Sequence, residues 1–143
     1  ANSAYAVKKL SLPAVVIDLG TATTLDVVTQ NKSYQGGVIL PGVSMGIESL
    51  SRNTSLLPVI DMVFPKKVIG KNTMTCIQSG TLLGYCDVLD GLLARIRTEL
   101  KQEVSVALTG GIAPLFQGKL KTSHEYHPHL TLEGTLLLYQ LNG

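Results

Sequence analysis

The chain has 143 residues, enough for one domain with a sizeable core, and it is 45% apolar and only 15% charged, so much of it must be buried internally or against a partner. The formal charge of +2 carries no basic stripe: Lys66-Lys67 and the Lys119/Lys121 pair are short, lack interleaved aromatics and read as solvated surface, which argues against a nucleic-acid partner. No apolar run reaches membrane-spanning length and no signal peptide opens the chain, so the expected location is cytoplasmic, with no membrane partner.

Ala1–Leu10 reads as the last turns of an amphipathic helix that Pro13 ends, and the chain does not open on Met, as expected of a piece of a longer protein. Val15–Val28 then places two β-branched apolar runs around a tight Asp-x-Gly-Thr turn, predicting strands at Ala14–Asp18 and Thr23–Thr29. Gln30–Ser33 turns the chain into a third strand, Tyr34–Leu40, where Gly36-Gly37 marks a bulge or a close approach. These strands form an antiparallel meander. Pro41-Gly42 breaks it, and Ser44 is placed to cap a helix to about Asn53 with Met45, Ile47 and Leu50 facing inward. Leu56-Leu57-Pro58 ends that section, and Val59–Gly70 reads as an irregular loop with room for a short strand.

Asn72 or Thr73 starts the longest helix, to about Lys101, with Ile77, Gly84, Val88, Leu92 and Ile96 recurring on one line. Gly80 and Gly84 form a small-residue notch for another backbone, either a partner subunit's or a neighbouring helix's. Asp87 and Asp90 repel at i,i+3 and are expected in solvent, while Met45 and Met74 read as core or interface packing. Cys76 and Cys86, about 15 Å apart along this helix, are too distant for a disulfide and read as reduced core residues. Glu103–Thr109 returns to a strand, Gly110-Gly111 turns, and Pro114 opens a short helix to about Leu120. Lys121–Pro128 reads as loop, and Thr131 as the cap of a final helix, Leu132–Asn142. The whole is α/β, a mixed sheet with packed helices.

Two stretches carry possible chemistry. At Asp18–Thr24, Gly20 lets a ligand approach the backbone, Thr21, Thr23 and Thr24 offer hydroxyls and amides to an anion, and Asp18 is placed to hold the cation that a polyphosphate brings. The plainer reading is a hairpin whose Asp and Thr residues satisfy turn hydrogen bonds. At Thr109–Ala113 a strand runs through Gly110-Gly111 into a helix N-terminus, a setting suited to phosphates and nucleotides. Asp26 either assists the cation site or only hydrogen-bonds the turn. His124, His127 and His129 share a loop with no cysteine, and Pro128 breaks their register, so they read as solvated rather than as metal ligands. Ser79 has no histidine in a context that would make it a nucleophile.

Five motifs in order, Asp18-Leu19-Gly20-Thr21-Ala22-Thr23-Thr24, Gly36-Gly37-Val38-Ile39-Leu40-Pro41-Gly42, Ile69-Gly70-Lys71-Asn72-Thr73, Ser79-Gly80 and Thr109-Gly110-Gly111, resemble the second half of type III pantothenate kinase. The resemblance implies an actin-like (ribonuclease H-like) fold and an ATP-dependent phosphorylation of pantothenate, the first step of coenzyme A synthesis, by a homodimer using Mg²⁺ and a monovalent cation (K⁺ or NH₄⁺). By motif, Asp18 would bind that cation, and Gly20, Thr21 and Thr23 the ATP phosphates. Gly110 and Gly111 would line the adenosine side. Thr73 would contact pantothenate at the dimer interface, with Gly42 near that pocket. The family's Asp-x-Gly-Asn-Thr loop and Gly-x-Asp-Arg motif, whose Asp is the general base, are absent from this sequence. Residues 1–143 therefore resemble a single domain, the C-terminal half of a two-half kinase, with no catalytic residue of its own and a missing N-terminal half as partner. The alternatives are a Bvg accessory factor-type transcriptional regulator on the same fold, or another actin-like sugar kinase or ATPase.

Overall fold

The computed structural model describes residues 1–53 and 60–143. Its elements are α1 (Asn2–Lys9), β1 (Ala14–Leu19), β2 (Ala22–Val28), β3 (Tyr34–Pro41), α2 (Val43–Asn53), α3 (Thr73–Gln78), a π-helical turn (Ser79–Leu83), α4 (Gly84–Leu100), β4 (Ser105–Thr109), α5 (Ala113–Phe116), β5 (Glu125–Tyr126) and α6 (Leu130–Asn142). The strands form one sheet in the order β3-β2-β1-β4-β5. The β1–β2–β3 pairs are antiparallel, while β4 runs parallel to β1, and β5 to β4. The carboxyl ends of β1 and β4 thus lie side by side, Asp18 opposite Thr109.

Side-chain alternation divides the strands between two cores. Val15, Ile17, Leu19, Leu25, Val106 and Leu108 face the helices that follow β3, including Leu82, Leu89 and Leu93 of the long helix and Phe116 of α5. Ala14, Val16, Val28 and Ala107 face Tyr5 and Ala6 of α1 and Leu130 of α6. At the end of the second face the apolar run gives way to Asp18, Thr24 and Asp26. The same alternation that buries Val16 therefore gathers polar groups at the rim of the α1/α6 layer.

The meander and the long helix lie where the sequence places them. The helix starts at Thr73 behind Asn72, whose side chain accepts from the Thr75 amide (2.9 Å) while the Thr75 hydroxyl receives the Asn72 amide (3.2 Å). It closes at Lys101 in the left-handed conformation. Its buried line is not the expected one, however. Leu82, Cys86, Leu89 and Leu93 are buried, Ile77, Leu92 and Ile96 flank them, and Val88 points outward. In α2 only Ile47 of the expected inner residues is buried; Met45 and Leu50 are exposed, as is Met74. Val43 and Ile47, four apart, set that face, and Ser44 directs its hydroxyl toward Met62 Sδ (4.0 Å). Outside its own helical turn, no described atom comes within 4 Å of a Cβ built on Gly80, so no other helix among the described residues fills the notch there.

Four expectations in the C-terminal third need correction. Lys121–Pro128 is not all loop, because Glu125-Tyr126 pairs with Ala107-Leu108 as β5, and the His127 amide donates to the Leu108 carbonyl (2.8 Å). α5 stops at Phe116, and α6 starts behind His129, so Thr131 lies inside its first turn. His124 is not simply solvated. It accepts the Gly118 amide at Nε2 (2.9 Å), which leaves Nδ1 to donate to the Thr122 carbonyl (2.7 Å). The expected segment end at Leu56-Leu57-Pro58, and Val59, lie outside the described residues; from Ile60 to Gly70 the chain forms no strand. No helix among the described residues is long and apolar enough to cross a membrane.

Asp90 is half-buried rather than free in solvent. Its carboxylate accepts the amides of Lys121 (2.9 Å) and Thr122 (3.0 Å), tying the β5 approach to α4. Partial burial pushes this carboxyl up, but those amides, the Thr122 side chain and the Lys121 charge outweigh it, and the net shift is downward. A carboxyl depressed on folding stabilises the protein above its unfolded pKa and loses that contribution as pH falls through the folded value. Asp90→Ala is therefore expected to cost about 1–2 kcal/mol at pH 7. In urea titrations across pH, its gap from wild type should close as pH falls below about 3.9.

The two thiols differ sharply. Cys76 is exposed, against expectation, and Cys86 is buried. Burial, followed by the charges of Asp90 and Asp87, pushes the Cys86 thiol up to about 11. A thiol-reactive reporter at pH 8 is expected to modify one equivalent per native chain, mapped to Cys76 by mass spectrometry, and Cys86 only in denaturant.

Candidate functional site

The turn between β1 and β2 is closed by the Gly20 amide donating to the Ala22 carbonyl (3.2 Å), with Thr21 at its exposed tip. Two glycines from distant segments pack on it. A Cβ on buried Gly42 would stand 2.0 Å from the Thr21 carbonyl oxygen and 2.9 Å from that of Gly20. Gly110 has φ +100°, and its Cβ would lie 2.7 Å from Asp18 Oδ1 and equally close to the Leu19 backbone. The Ile112 amide donates to the Leu19 carbonyl (3.1 Å), which locks the Gly110-Gly111 turn to the end of β1. Asp18, Gly20, Thr21, Gly42 and Gly110 thus meet at the carboxyl ends of two parallel strands, where open α/β sheets place ligands.

Beside Gly110 opens a groove of about 660 Å³, bordered by Gly110, Gly111, Pro114, Tyr126, Thr131 and Leu132. It is large enough for a nucleoside. Thr131 connects groove and carboxylate. Its hydroxyl lies 2.8 Å from Asn2 Oδ1 and 3.4 Å from Asp18 Oδ2. Asn2 in turn donates its amide hydrogens to Asp18 Oδ2 and Asp26 Oδ2 (3.3 Å each), and the Tyr34 hydroxyl donates to Asp26 Oδ1 (3.3 Å). Asp26 therefore belongs to the network around Asp18.

The profile of the type III pantothenate kinase family matches residues 1–95. The chain belongs to the type III pantothenate kinase family. Similar relatives carrying that name include one from Anaeromyxobacter sp. (strain K), 40% identical over 141 residues (99% of this chain, 56% of the relative). Another, from Streptomyces griseus, is 41% identical over 144 residues (99% and 54%). The chain spans about half the length of these curated relatives. Among solved structures, one from Campylobacter jejuni, titled for the Baf family of transcriptional activators, superposes with a TM-score of 0.67 at 22% identity. It is matched over 97% of this chain and 62% of that one. The Alp12 filament structure superposes at 0.62 and 12% identity, over 98% and 50%. At those identities the likeness concerns the fold alone.

The residues singled out by the family resemblance fall in three places. Asp18, Gly20, Thr21, Gly42 and Gly110 form the cluster just described, with Gly111 on the groove. Thr23 does not present its hydroxyl there: its side chain is 1% exposed on the opposite, core face of β2. It lies beside the Tyr85 hydroxyl, which donates to the Pro41 carbonyl (2.8 Å). Thr73 is exposed on the first turn of α3, twelve residues before Tyr85. That is roughly 15–18 Å along the helix from the sheet edge that Tyr85 touches. The sequence reading missed Asn2 and treated Thr131 only as a cap. No local signal marks either residue, because their partners lie 16 to 129 positions away.

Proposed function

We propose that this chain forms the cation-, phosphate- and adenosine-binding side of an ATP-dependent pantothenate kinase. The observation that carries the reading is the meeting of Asp18, the Gly20-Thr21 turn and Gly110 at the mouth of a nucleoside-sized groove. The Asp18 carboxylate is a hard oxygen donor suited to K⁺ or NH₄⁺, and Oδ1 sits over a space that only glycine at position 110 leaves open. A monovalent cation there, with the Mg²⁺ that accompanies ATP, would screen the triphosphate's charge. Thr21 contacts the phosphates from the turn's tip, and Gly110 and Gly111 let the nucleotide lie close to the backbone. Thr23 supports the turn from beneath.

Gly42 and Thr73 face the pantothenate side in this reading. Thr73 stands at the opposite end of its helical run from Tyr85, roughly 15–18 Å along the axis, which favours a homodimer in which it serves a neighbouring site. Exposed apolar side chains on α6 (Leu132, Leu136, Tyr139 and Leu141) and the open Gly80 also favour association. Phosphoryl transfer is mostly positioning and charge stabilisation. No residue of the cluster is assigned as the base for the pantothenate hydroxyl; in this reading that role belongs to the family's Gly-x-Asp-Arg segment, which these 143 residues do not contain.

Calorimetric titration tests this directly. MgATP in K⁺ buffer is expected to bind, and Asp18→Asn to weaken it about tenfold or more. The chain alone with ATP, Mg²⁺, K⁺ and pantothenate is expected to make little or no phosphopantothenate. Robust turnover would contradict the assignment of the base to the other half.

A further inference from the structure

We infer that Asn2 and Thr131 are positioning residues that clamp the Asp18 carboxylate and aim its Oδ1 at the bound cation. The inference rests on the proposed role of Asp18 and goes beyond it, because neither residue belongs to the motifs that suggested the site. Four elements meet in the clamp: α1 supplies Asn2, β1 Asp18, β2 Asp26 and α6 Thr131. Each hydrogen-bonding group of the Asn2 side chain has a distinct partner. One amide hydrogen goes to Asp18 Oδ2 and one to Asp26 Oδ2, each at 3.3 Å, while Oδ1 accepts from the Thr131 hydroxyl at 2.8 Å. The amide orientation follows, since the opposite flip would set a carbonyl oxygen against two carboxylates.

Asp18 and Asp26 lie on one face as diagonal neighbours across the β1–β2 pair, Asp18 opposite Thr24 and Asp26 opposite Val16. Two carboxylates so placed repel, and a neutral donor with two hydrogens is the small side chain that bridges both without adding charge. With Oδ2 engaged, the Asp18 carboxylate cannot rotate freely. Its other oxygen, Oδ1, faces Gly110, where an ideal Cβ would be only 2.7 Å away. Oδ1 is thus the oxygen turned toward the Gly20–Gly110 cradle. α6 can come close enough to deliver Thr131 because Gly134, one turn on, leaves room for the Ala1 carbonyl, which a Cβ would meet at 2.2 Å.

The test uses Tl⁺ as a K⁺ probe on the whole 143-residue chain, read by thallium NMR, with Asp carboxyl carbons labelled with ¹³C. Thr131→Val removes the hydroxyl at constant shape, and Thr131→Ser restores it. Asn2→Ala removes the bridge. Thr131→Val and Asn2→Ala are expected to weaken Tl⁺ binding about five- to tenfold and to move the Asp18 carboxyl resonance, with backbone amide spectra elsewhere unchanged; Thr131→Ser should match wild type in both. Because Thr131→Val is isosteric, it keeps the test valid if Asn2→Ala does not fold. Tl⁺ affinity within about twofold of wild type in a folded Thr131→Val chain overturns the clamp while leaving the cation role of Asp18 standing. Wild type that binds no Tl⁺ overturns that cation role and the clamp together.

Discussion

Gly110→Ala is expected to lower stability by about 2–5 kcal/mol and to remove most nucleotide affinity. Position 110 holds φ +100°, which L side chains rarely adopt, so the substitution is strained before any contact is considered. The new methyl would then lie 2.7 Å from Asp18 Oδ1 and from the backbone N and C of Leu19. The carboxylate could swing away only by leaving Asn2 and Thr131, and the Leu19 backbone is held in the sheet opposite Thr23 of β2. The turn would therefore have to lift off β1, breaking the Ile112–Leu19 hydrogen bond that locks it there. Gly111→Ala is the control, since nothing lies within 4 Å of its Cβ and φ falls outside the strained region. Urea denaturation should leave it within about 1 kcal/mol of wild type. Equal stability of the two variants would contradict the packing of Gly110 on β1.

Phe116→Ala should cost about 3–5 kcal/mol. Its ring is fully buried and meets Phe64 edge-on (centroids 5.4 Å apart, planes at 80°) and Tyr85 (6.0 Å, 62°). Lys119 Nζ covers the outer ring of this stack, 5.0 Å from the Phe64 centroid. The expected fall in thermal midpoint is on the order of 10 °C for a domain of this size, read by calorimetry. The effect should reach the site, because Tyr85 rests on Phe116 and holds the Pro41 carbonyl, one residue before the Gly42 that packs on the Gly20-Thr21 turn. Phe116→Leu, which keeps most of the volume, should cost less than half as much; equal losses would contradict this and show that the ring contacts with Phe64 and Tyr85, not the buried volume, carry the stabilisation.

What the sequence made legible is mostly local. The β1–β3 meander follows from alternating β-branched residues around a short polar turn. The start of the long helix follows from Asn72 and Thr75, whose side chains cap it within one turn. The two glycine turns stood out because glycine is the residue that such close approaches demand. Where partners are distant in sequence, the reading weakened. A strand as short as Glu125-Tyr126 has no periodicity to show, and it exists because β4 offers a free edge. Met45, Leu50 and Val88 are apolar at helical spacing, yet the sheet covers only one side of their helices, and Ile47, Leu89 and Leu93 occupy it. Thr131 carries the composition of a helix cap, but α6 begins behind His129, leaving that hydroxyl free to serve the Asp18 network. Thr23 shows the limit of motif reading: adjacent to Thr24 in a hydroxyl-rich run, it points to the core by strand alternation alone.

Residue-resolved NMR titration of the ¹⁵N-labelled chain with MgATP in K⁺ buffer decides whether the Asp18–Gly110 cluster binds nucleotide. Saturable shifts are expected at Gly20, Thr21, Gly110, Gly111 and Thr131, greatly reduced in Asp18→Asn. No saturable shift at any of these, or shifts confined to the apolar groove of about 490 Å³ that Val7, Tyr34, Leu137 and Leu141 help to line, would contradict binding by the cluster.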